Sequence, residues 1–174
     1  MAPMEREWRE AIDMRSSMLN LALVIVSGAL LRFWSLQSAA PTLAESQMVD
    51  AVLHAMRTGT LRPESLHHPT LPLYLNVAVS VAHFLAGAVR GTWHGLDGFE
   101  AGDVLAWGRG VSAVFGTVVI FLVYQIGMRW GSRHALLAAG LMAVSPTHVA
   151  ASRLMSDGAL LTFFATLALL HAIE

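Results

Sequence analysis

A series of long apolar segments constrains the fold of this chain more than any other feature. The first segment, MLNLALVIVSGALLRFWSL at residues 18–36, is long enough to cross a hydrocarbon core about 30 Å thick. Further apolar runs follow at about 70–89, 110–128, 134–149 and 159–173. Of the 174 residues, 55% are hydrophobic and 13% are charged, whereas soluble domains carry about a quarter charged residues. The sequence therefore predicts an all-α polytopic membrane protein.

Composition excludes two further classes. The formal net charge is −1, so nothing in the composition suggests a nucleic-acid partner, and none is expected. The chain has no cysteine, which excludes disulfides and thiol chemistry but does not identify a compartment.

The first apolar run follows a polar, charged segment at residues 1–16. The small residues Ser-Ala-Ala at 38–40 raise the alternative of a cleavable signal peptide. The apolar core of a signal peptide is about 7–15 residues long, and this run is longer. We therefore predict an uncleaved first span, TM1, with the Arg-bearing N-terminal segment in the cytoplasm.

The orientation of the later spans depends on whether the run at 70–89 crosses the membrane. If it does, the loop that carries Arg129 and Arg133 falls outside, against the tendency of arginines to stay in the cytoplasm. If it does not, that loop is cytoplasmic and Asp157 lies on the extracytoplasmic side.

A stripe of weakly polar residues within this run favours the second arrangement. Asn76, Ser80, His83 and Gly87 follow one another at steps of four, three and four, which places them on one face of a helix. An amphipathic helix lying in the membrane interface explains such a stripe. The alternative of a spanning helix whose stripe faces protein stays open.

This choice predicts one transmembrane module, residues 17–174, with four spans. Because the chain stops at Glu174 inside an apolar run, we also expect it to be part of a larger protein. The predicted layout is a cytoplasmic segment (1–16), TM1 (18–36), an external loop (37–108) with interfacial helices at 45–57 and 70–89, TM2 (109–128), TM3 (134–149), a second external loop (150–157) and TM4 (158–174).

Several polar residues have a structural explanation. Thr42 and Glu45 have the spacing of a capping box, and Gly59 follows the same predicted helix as a stop signal. Asp157 suits the N-cap of TM4, and Arg153 precedes it by four residues, at ion-pair spacing for a helix.

Other polar residues of the loops have equally plain explanations. Arg109 can extend its side chain to the membrane interface from the start of TM2. Asp50 can belong to a solvated helix face. His67 and His68 could form a metal pair, but adjacent histidines without a third ligand are weak evidence of one.

Taken together, the same residues favour a reaction at the outer membrane face. Each of two predicted external loops presents a carboxylate there. This arrangement suits the transfer of a lipid-borne group to an acceptor outside the cytoplasm. One carboxylate can act as a general base, and the second can position substrate or help to hold a divalent cation. Nearby arginines can bind the phosphate of a lipid carrier.

Four segments resemble the N-terminal part of GT-C fold glycosyltransferases, specifically the protein O-mannosyltransferase and aminoarabinose-transferase group, glycosyltransferase family 39. They are LAESQMVDAVLHAMRTG (43–59), HHPTLPLYL (67–75), RGVSAVFGTVVIFLVY (109–124) and HALLAAGLMAVSPTHVAASRLMSDGALLTFF (134–164). The order and spacing of the four segments are more specific than any one of them.

The resemblance implies a GT-C-like transmembrane helical bundle with interfacial helices in its first external loop. It also implies a polyprenyl-phosphate sugar donor, inversion at the anomeric carbon, and an aspartate of the first loop as base. Ala44 occupies the position of that aspartate here, and the following Glu45 remains. Asp50 lies where relatives often keep a second acidic residue.

The resemblance thus implies the N-terminal portion of an inverting membrane glycosyltransferase, inactive as an isolated fragment, in a bacterial inner membrane. Its partners would be the bilayer, a polyprenyl-phosphate sugar, an extracytoplasmic protein, lipid or glycan acceptor, and the remaining part of a split enzyme. The alternative is a non-catalytic or truncated scaffold or partner subunit. The expected site residues are Glu45 and Asp157 for catalysis and Asp50, His68, Arg109 and Arg153 for substrate binding. No cofactor is required by the sequence, although Glu45 and Asp157 could hold a divalent cation.

Overall fold

A computed structural model describes residues 3–62 and 70–173 of the chain, with side chains from Ser16 onward. The described residues form α-helices and two 3-10 turns without a β-strand, so the prediction of an all-α polytopic membrane protein is confirmed. The α-helices are α1 (Pro3–Phe33), α2 (Leu43–Thr58), α3 (Thr70–Val89), α4 (Ala101–Gly127), α5 (Ser132–Val144), α6 (Pro146–Ser152) and α7 (Gly158–Ala172).

Three helical stretches are long and apolar enough to cross a membrane. They are Ser16–Phe33, Thr70–Val89 and Ala101–Trp130, and α5 with α6 would add a fourth if the two form one bent span. The helix α7 is apolar but shorter. The number of spans and their orientation stay predictions, because length and composition alone do not decide whether α3 crosses.

The helix α4 is the centre of the bundle, since it packs against each of the other six described α-helices. On one side, Ala135, Ala139 and Ala143 of α5 lie at steps of four and pack with Ile120 and Tyr124 of α4. Small side chains at this spacing allow the two backbones to approach closely, which is the usual packing of helices in membranes.

Contacts along α4 show that Arg109, one of the expected site residues, lies toward one end of the bundle. Ser17 of α1 lies near Tyr124 of α4, with 3.5 Å between their hydroxyl oxygens. The segment that follows α1 contacts the first half of α4, because Arg109 donates to the carbonyl oxygens of Leu36 and Ala39. A helix of 27 residues is about 40 Å long, so the turn after α4 lies far from Arg109.

The start and stop signals of α2 lie where the sequence predicts them. Thr42 and Glu45 form the capping box, and Gly59 adopts φ 70° at the end of the helix. One face of α2, with Val49 and Val52, packs into a core that it shares with α3 and α4.

The polar stripe of α3 faces the protein and not water. Asn76 and Ser80 are buried, as is Gly87, which contacts Trp93. The exposed face of α3 is apolar and includes Leu85 and Val89. The stripe therefore does not favour an interfacial position over a spanning one, and the position of α3 in the membrane stays a prediction.

The loop after α3 is held in place by aromatic packing. Trp93 and Phe99 contact each other edge to face, with ring centroids 5.1 Å apart, and both contact Phe84 of α3. Phe99 is buried in the same core as Val52 of α2. The sequence suggested no role for this glycine-rich, acidic loop, and the structure shows that its aromatic side chains pack against α3.

The predicted span TM3 is broken in the structure. The helices α5 and α6 meet at Ser145 with a bend of 60°. Pro146 is the first residue of α6, and proline has no backbone N–H to continue the hydrogen bonds of α5. The apolar composition of 134–149 predicted one helix, but the proline decides the local geometry.

Candidate active site

Glu45 lies at the centre of the candidate site. Its carboxylate accepts hydrogen bonds from Nε and Nη2 of Arg109, at 2.8 and 3.0 Å. It also accepts from the backbone N–H of Thr42 at 2.9 Å and from that of Met155 at 2.9 Å. One buried side chain thus joins the first predicted external loop, the helix α4 and the second predicted external loop.

Arg109 does not reach toward the membrane interface as its position in sequence suggested. The side chain is 1% exposed and points inward, because both edges of its guanidinium find acceptors there. Besides Glu45, it donates to the carbonyl oxygens of Leu36 at 2.6 Å and Ala39 at 3.0 Å. Arginine suits this place because its planar fork matches a carboxylate and the adjacent carbonyl groups at once.

The Glu45 carboxyl is held in its charged form. Burial by itself would raise its pKa, but other contacts outweigh that effect. Hydrogen bonds from Arg109 and from the N–H groups of Thr42 and Met155, together with the positive charge of Arg109, lower the pKa from 4.5 to about 2. A carboxylate with so low a pKa is a weak proton acceptor near neutral pH.

Met155 fixes the second predicted external loop against α4. Its side chain is 1% exposed and lies on Gly108, where a Cβ atom would come within 2.5 Å of the Met155 sulfur. Its N–H reaches Glu45 because residues 153–157 form a turn between α6 and α7.

Asp157 and Arg153 do not form the ion pair that their spacing suggested. The four-residue spacing applies only inside a helix, and the chain turns between these two residues. Arg153 instead donates through Nη2 to the carbonyl oxygens of Trp34 and Ser35. Asp157 is the N-cap residue of α7, but its exposed carboxylate makes no capping hydrogen bond within the described residues.

The other expected residues have different positions. Asp50 is exposed on α2, on the side opposite to the buried Val49 and Val52. Ala44 is exposed next to the buried Glu45. His68, like His67, lies outside the described residues. The structure therefore brings Glu45 and Arg109 together, with Arg153 and Asp157 on the adjacent turn, and leaves Asp50 pointing to solvent.

The donor set around Glu45 does not fit a divalent cation. Both carboxylate oxygens already accept from Arg109, whose positive charge would repel a cation. Among residues 16–62 and 70–173, no three histidine, aspartate or glutamate side chains come together as metal ligands. Asp157 alone supplies one carboxylate, which is too few for a cation site.

Sequence reasoning missed a second buried arginine close to this site. Arg32, near the end of α1, is fully buried and contacts Nδ1 of His148 at 2.7 Å. The signal was present in the sequence, since a charged residue inside an apolar segment usually has a specific partner in the protein. The sequence interpretation included this arginine only as part of the first span.

Similarity to a known family covers the larger part of the chain. Neither the search of curated proteins nor the search of solved structures found a match. The sequence model of one family, described as dolichyl-phosphate-mannose-protein mannosyltransferase, matches residues 69–174, about three fifths of the chain. The match begins just before α3 and covers Arg109, the bend between α5 and α6, and Asp157. The chain therefore belongs to the dolichyl-phosphate-mannose-protein mannosyltransferase family.

Proposed function

We propose that this chain provides the N-terminal part of a membrane glycosyltransferase. The enzyme would transfer a sugar from a polyprenyl-phosphate donor to an acceptor outside the cytoplasm. One observation carries the proposal: in a member of this family, Glu45, Arg109, Arg153 and Asp157 meet at one end of the helical bundle. The family name makes mannose the first sugar to test, and we leave the acceptor as a protein, lipid or glycan.

The proposed reaction is a single displacement at the anomeric carbon. An acceptor hydroxyl attacks that carbon while the bond to the phosphate oxygen breaks, and the polyprenyl phosphate leaves with the bonding electrons. The acceptor proton passes to a carboxylate of the protein, which acts as general base. Attack from the side opposite to the phosphate inverts the configuration of the sugar.

We assign the general base to Asp157 and a positioning role to Glu45. Glu45 was expected to be catalytic, but its carboxylate is buried, paired with Arg109 and has a pKa of about 2. Asp157 is an exposed carboxylate two residues after Met155, the residue that binds Glu45. The Glu45 contact thereby fixes the turn that presents Asp157.

We assign the phosphate of the donor to Arg153 and not to Arg109. Arg153 is partly exposed and binds the chain through Nη2, whereas Arg109 is buried by its contacts with Glu45 and the backbone. Asp50 and His68 stay as proposed contacts to the acceptor or the sugar. For His68 this proposal rests only on its place in a family-like segment.

A non-catalytic partner subunit is the second candidate function. Two observations favour it: Ala44 stands where relatives keep the aspartate base, and the neighbouring Glu45 is fully engaged by structural contacts. Both candidates share the same setting, which we propose to be a bacterial inner membrane with the N-terminus of the chain in the cytoplasm.

Asp157→Asn tests the assignment of the base. In membranes that contain the protein as its gene encodes it, this variant should transfer sugar from a polyprenyl-phosphate donor about 100- to 10,000-fold more slowly, the usual contribution of a general base. Asp97→Asn, which changes an exposed carboxylate of the predicted first external loop, is the control and should transfer normally. Both variants should insert into the membrane equally well. Normal transfer by Asp157→Asn would remove Asp157 from the mechanism.

Ala44→Asp separates the two candidate functions. Residue 44 is exposed in the first turn of α2, where an acidic residue also suits the helix dipole, so the substitution should not disturb folding. A partner subunit that has lost its base should gain transfer activity on this change. An enzyme that uses Asp157 should be active before the change and gain little from it.

A further inference from the structure

Arg32 is an unusual residue for its surroundings. It lies in the last turn of α1 with a side chain that is 0% exposed, and no carboxylate contacts it within the described residues. A buried charge without an opposite charge is costly unless dipoles compensate for it. The groups that compensate for the buried charge of Arg32 indicate the role of this residue.

The ends of two helices supply that compensation. The guanidinium donates through Nη1 to the carbonyl oxygens of Gly28, at 2.8 Å, and Ala143, at 3.0 Å. It donates through Nη2 to that of Met142 at 3.2 Å. Gly28 belongs to the last turns of α1, and Met142 and Ala143 belong to the last turn of α5. The carbonyl groups at helix C-termini carry partial negative charge and need donors.

Because of the bend, the carbonyl groups of Met142 and Ala143 on α5 have no partner within the helix. An uninterrupted helix would bond the Met142 carbonyl to the N–H of residue 146, but residue 146 is proline. Ser145 leaves the helical region with ψ 115°, so the Ala143 carbonyl also loses its partner. Arg32 therefore donates to the carbonyl groups that the α5–α6 bend leaves unpaired.

Arg32 also holds the first turn of α6 through His148. Its Nη2 lies 2.7 Å from Nδ1 of His148. Because a guanidinium can only donate, Nδ1 is the acceptor and the ring is neutral, with its proton on Nε2. The opposite end of α6 is fixed on α4, where Ser152 occupies the space left by the missing side chain of Gly116.

We propose that Arg32 is a positioning residue that fixes the bend between α5 and α6 and, through α6, the turn that carries Asp157. The path is short, since α6 ends at Ser152 and the next five residues include Arg153, Met155 and Asp157. The consequence for sugar transfer rests on the function proposed above. The structural part stands independently of it.

The position of the turn can be measured without any activity assay. Because the chain has no cysteine, Gln47→Cys on α2 and Ser156→Cys on the turn introduce two unique sites for spin labels. Pulsed electron paramagnetic resonance then gives the distance distribution between α2 and the turn. The parent should show one narrow distribution. Arg32→Met should move or broaden it, while Arg57→Met, at an exposed arginine of α2, should leave it unchanged.

Two substitutions of similar size test the contact with His148. His148→Asn keeps an acceptor near the position of Nδ1, and we expect the parent distribution. His148→Leu removes the acceptor but leaves the three carbonyl contacts of Arg32 intact, so this variant should fold and should broaden the distribution. If His148→Leu and every folded Arg32→Met sample retain the parent distribution, the proposal is wrong.

Pro146→Ala tests the link to the bend. Alanine restores the N–H that can bond to the Met142 carbonyl, so the distribution should change in this variant even with Arg32 present. Adding Arg32→Met to Pro146→Ala should then change the distribution less than Arg32→Met does alone. Equal effects in both backgrounds would show that Arg32 acts independently of the bend and would overturn the proposal.

Sugar transfer gives the final comparison. Because the displaced turn carries both Arg153 and Asp157, His148→Leu should lower kcat/KM for the donor on the order of 10- to 100-fold. If the parent itself transfers no sugar while the distances respond as described, the proposed function fails and this inference stands.

Discussion

The Glu45 carboxylate shows how much one residue can hold together. It closes the capping box at the start of α2, pairs with Arg109 of α4 and accepts from Met155 of the second predicted loop. Every one of these contacts is strongest with the ionised form. The contacts that build the site therefore also make its stability depend on pH.

The sign of that dependence follows from the lowered pKa. In the unfolded chain the Glu45 carboxyl takes its ordinary pKa of 4.5, and in the folded protein its pKa is about 2. The stabilisation is complete above pH 4.5, is lost as the pH falls from 4.5 toward 2, and is absent below pH 2. We expect thermal unfolding in detergent to show this loss in the parent and not in Glu45→Gln.

Glu45→Gln should also be less stable than the parent at pH 7. It leaves Arg109 as a buried charge without its partner, which costs about 3–5 kcal/mol in known cases. Asp50→Asn is the control, because Asp50 is exposed on the same helix and should change stability little. A Glu45→Gln protein as stable as the parent would contradict the assigned role of the pair.

Of the contacts that Glu45 makes, only the contact with a residue close to it in sequence could be predicted. The capping box follows from the spacing of Thr42 and Glu45, because both residues lie in one helical turn. Arg109 is 64 residues away from Glu45, so no local pattern indicated that the two would meet. The same limit applies to Arg32 and His148, which are 116 residues apart.

Among the helices, α4 shows how a surface of small residues positions the site. Gly116 allows Ser152 of α6 to approach so closely that a Cβ on residue 116 would overlap with its hydroxyl oxygen. Gly110, in the same helix, has open space where a Cβ would be. The two glycines thus make a matched pair for substitution.

Gly116→Ala should destabilise the protein and displace α6, because Ser152 must move. The loss should be about 1–3 kcal/mol, as for other substitutions that overpack a core. Gly110→Ala should be neutral or stabilise the helix by up to about 1 kcal/mol, the difference in helix propensity. Thermal unfolding of both variants in detergent measures the difference, and equal behaviour would contradict the close contact.

Some helix boundaries could be predicted from the sequence and others could not. Gly59 marked the end of α2, and the long apolar runs marked α1, α3 and α4. The break in the predicted TM3 was not predicted. That prediction relied on the apolar composition of the segment and did not treat Pro146 as the start of a new helix. The direction of the α3 stripe could not be predicted either, since a polar face looks the same whether it meets water or protein.

At the scale of the whole molecule, the bundle has two chemically different ends. One end holds Glu45, Arg109, Arg153 and Asp157, and the other holds the turn after α4 with Arg129 and Arg133. The predicted layout puts the first end outside and the second in the cytoplasm. The fold is compatible with this arrangement, and a labelling experiment can establish it.

His94→Cys and Ser132→Cys provide single labelling sites at exposed positions of a chain without cysteine. In intact cells, a membrane-impermeant thiol reagent should label residue 94 and not residue 132. Permeabilised cells, in which both residues should react, are the control. Labelling of residue 132 alone would invert the layout, and labelling of both in intact cells would show that α4 does not cross as predicted.

The long separation between Glu45 and Arg109 also has a consequence for biosynthesis. At a synthesis rate of about 5–20 residues per second, Arg109 leaves the ribosome roughly 3–13 s after Glu45. Met155, 110 residues after Glu45, follows after about 6–22 s. Until Arg109 emerges, the Glu45 carboxylate has neither of these partners, so α2 cannot yet make its final buried contacts. The contacts that hold the first predicted loop are therefore completed only after α4 and the turn between α6 and α7 have been synthesised.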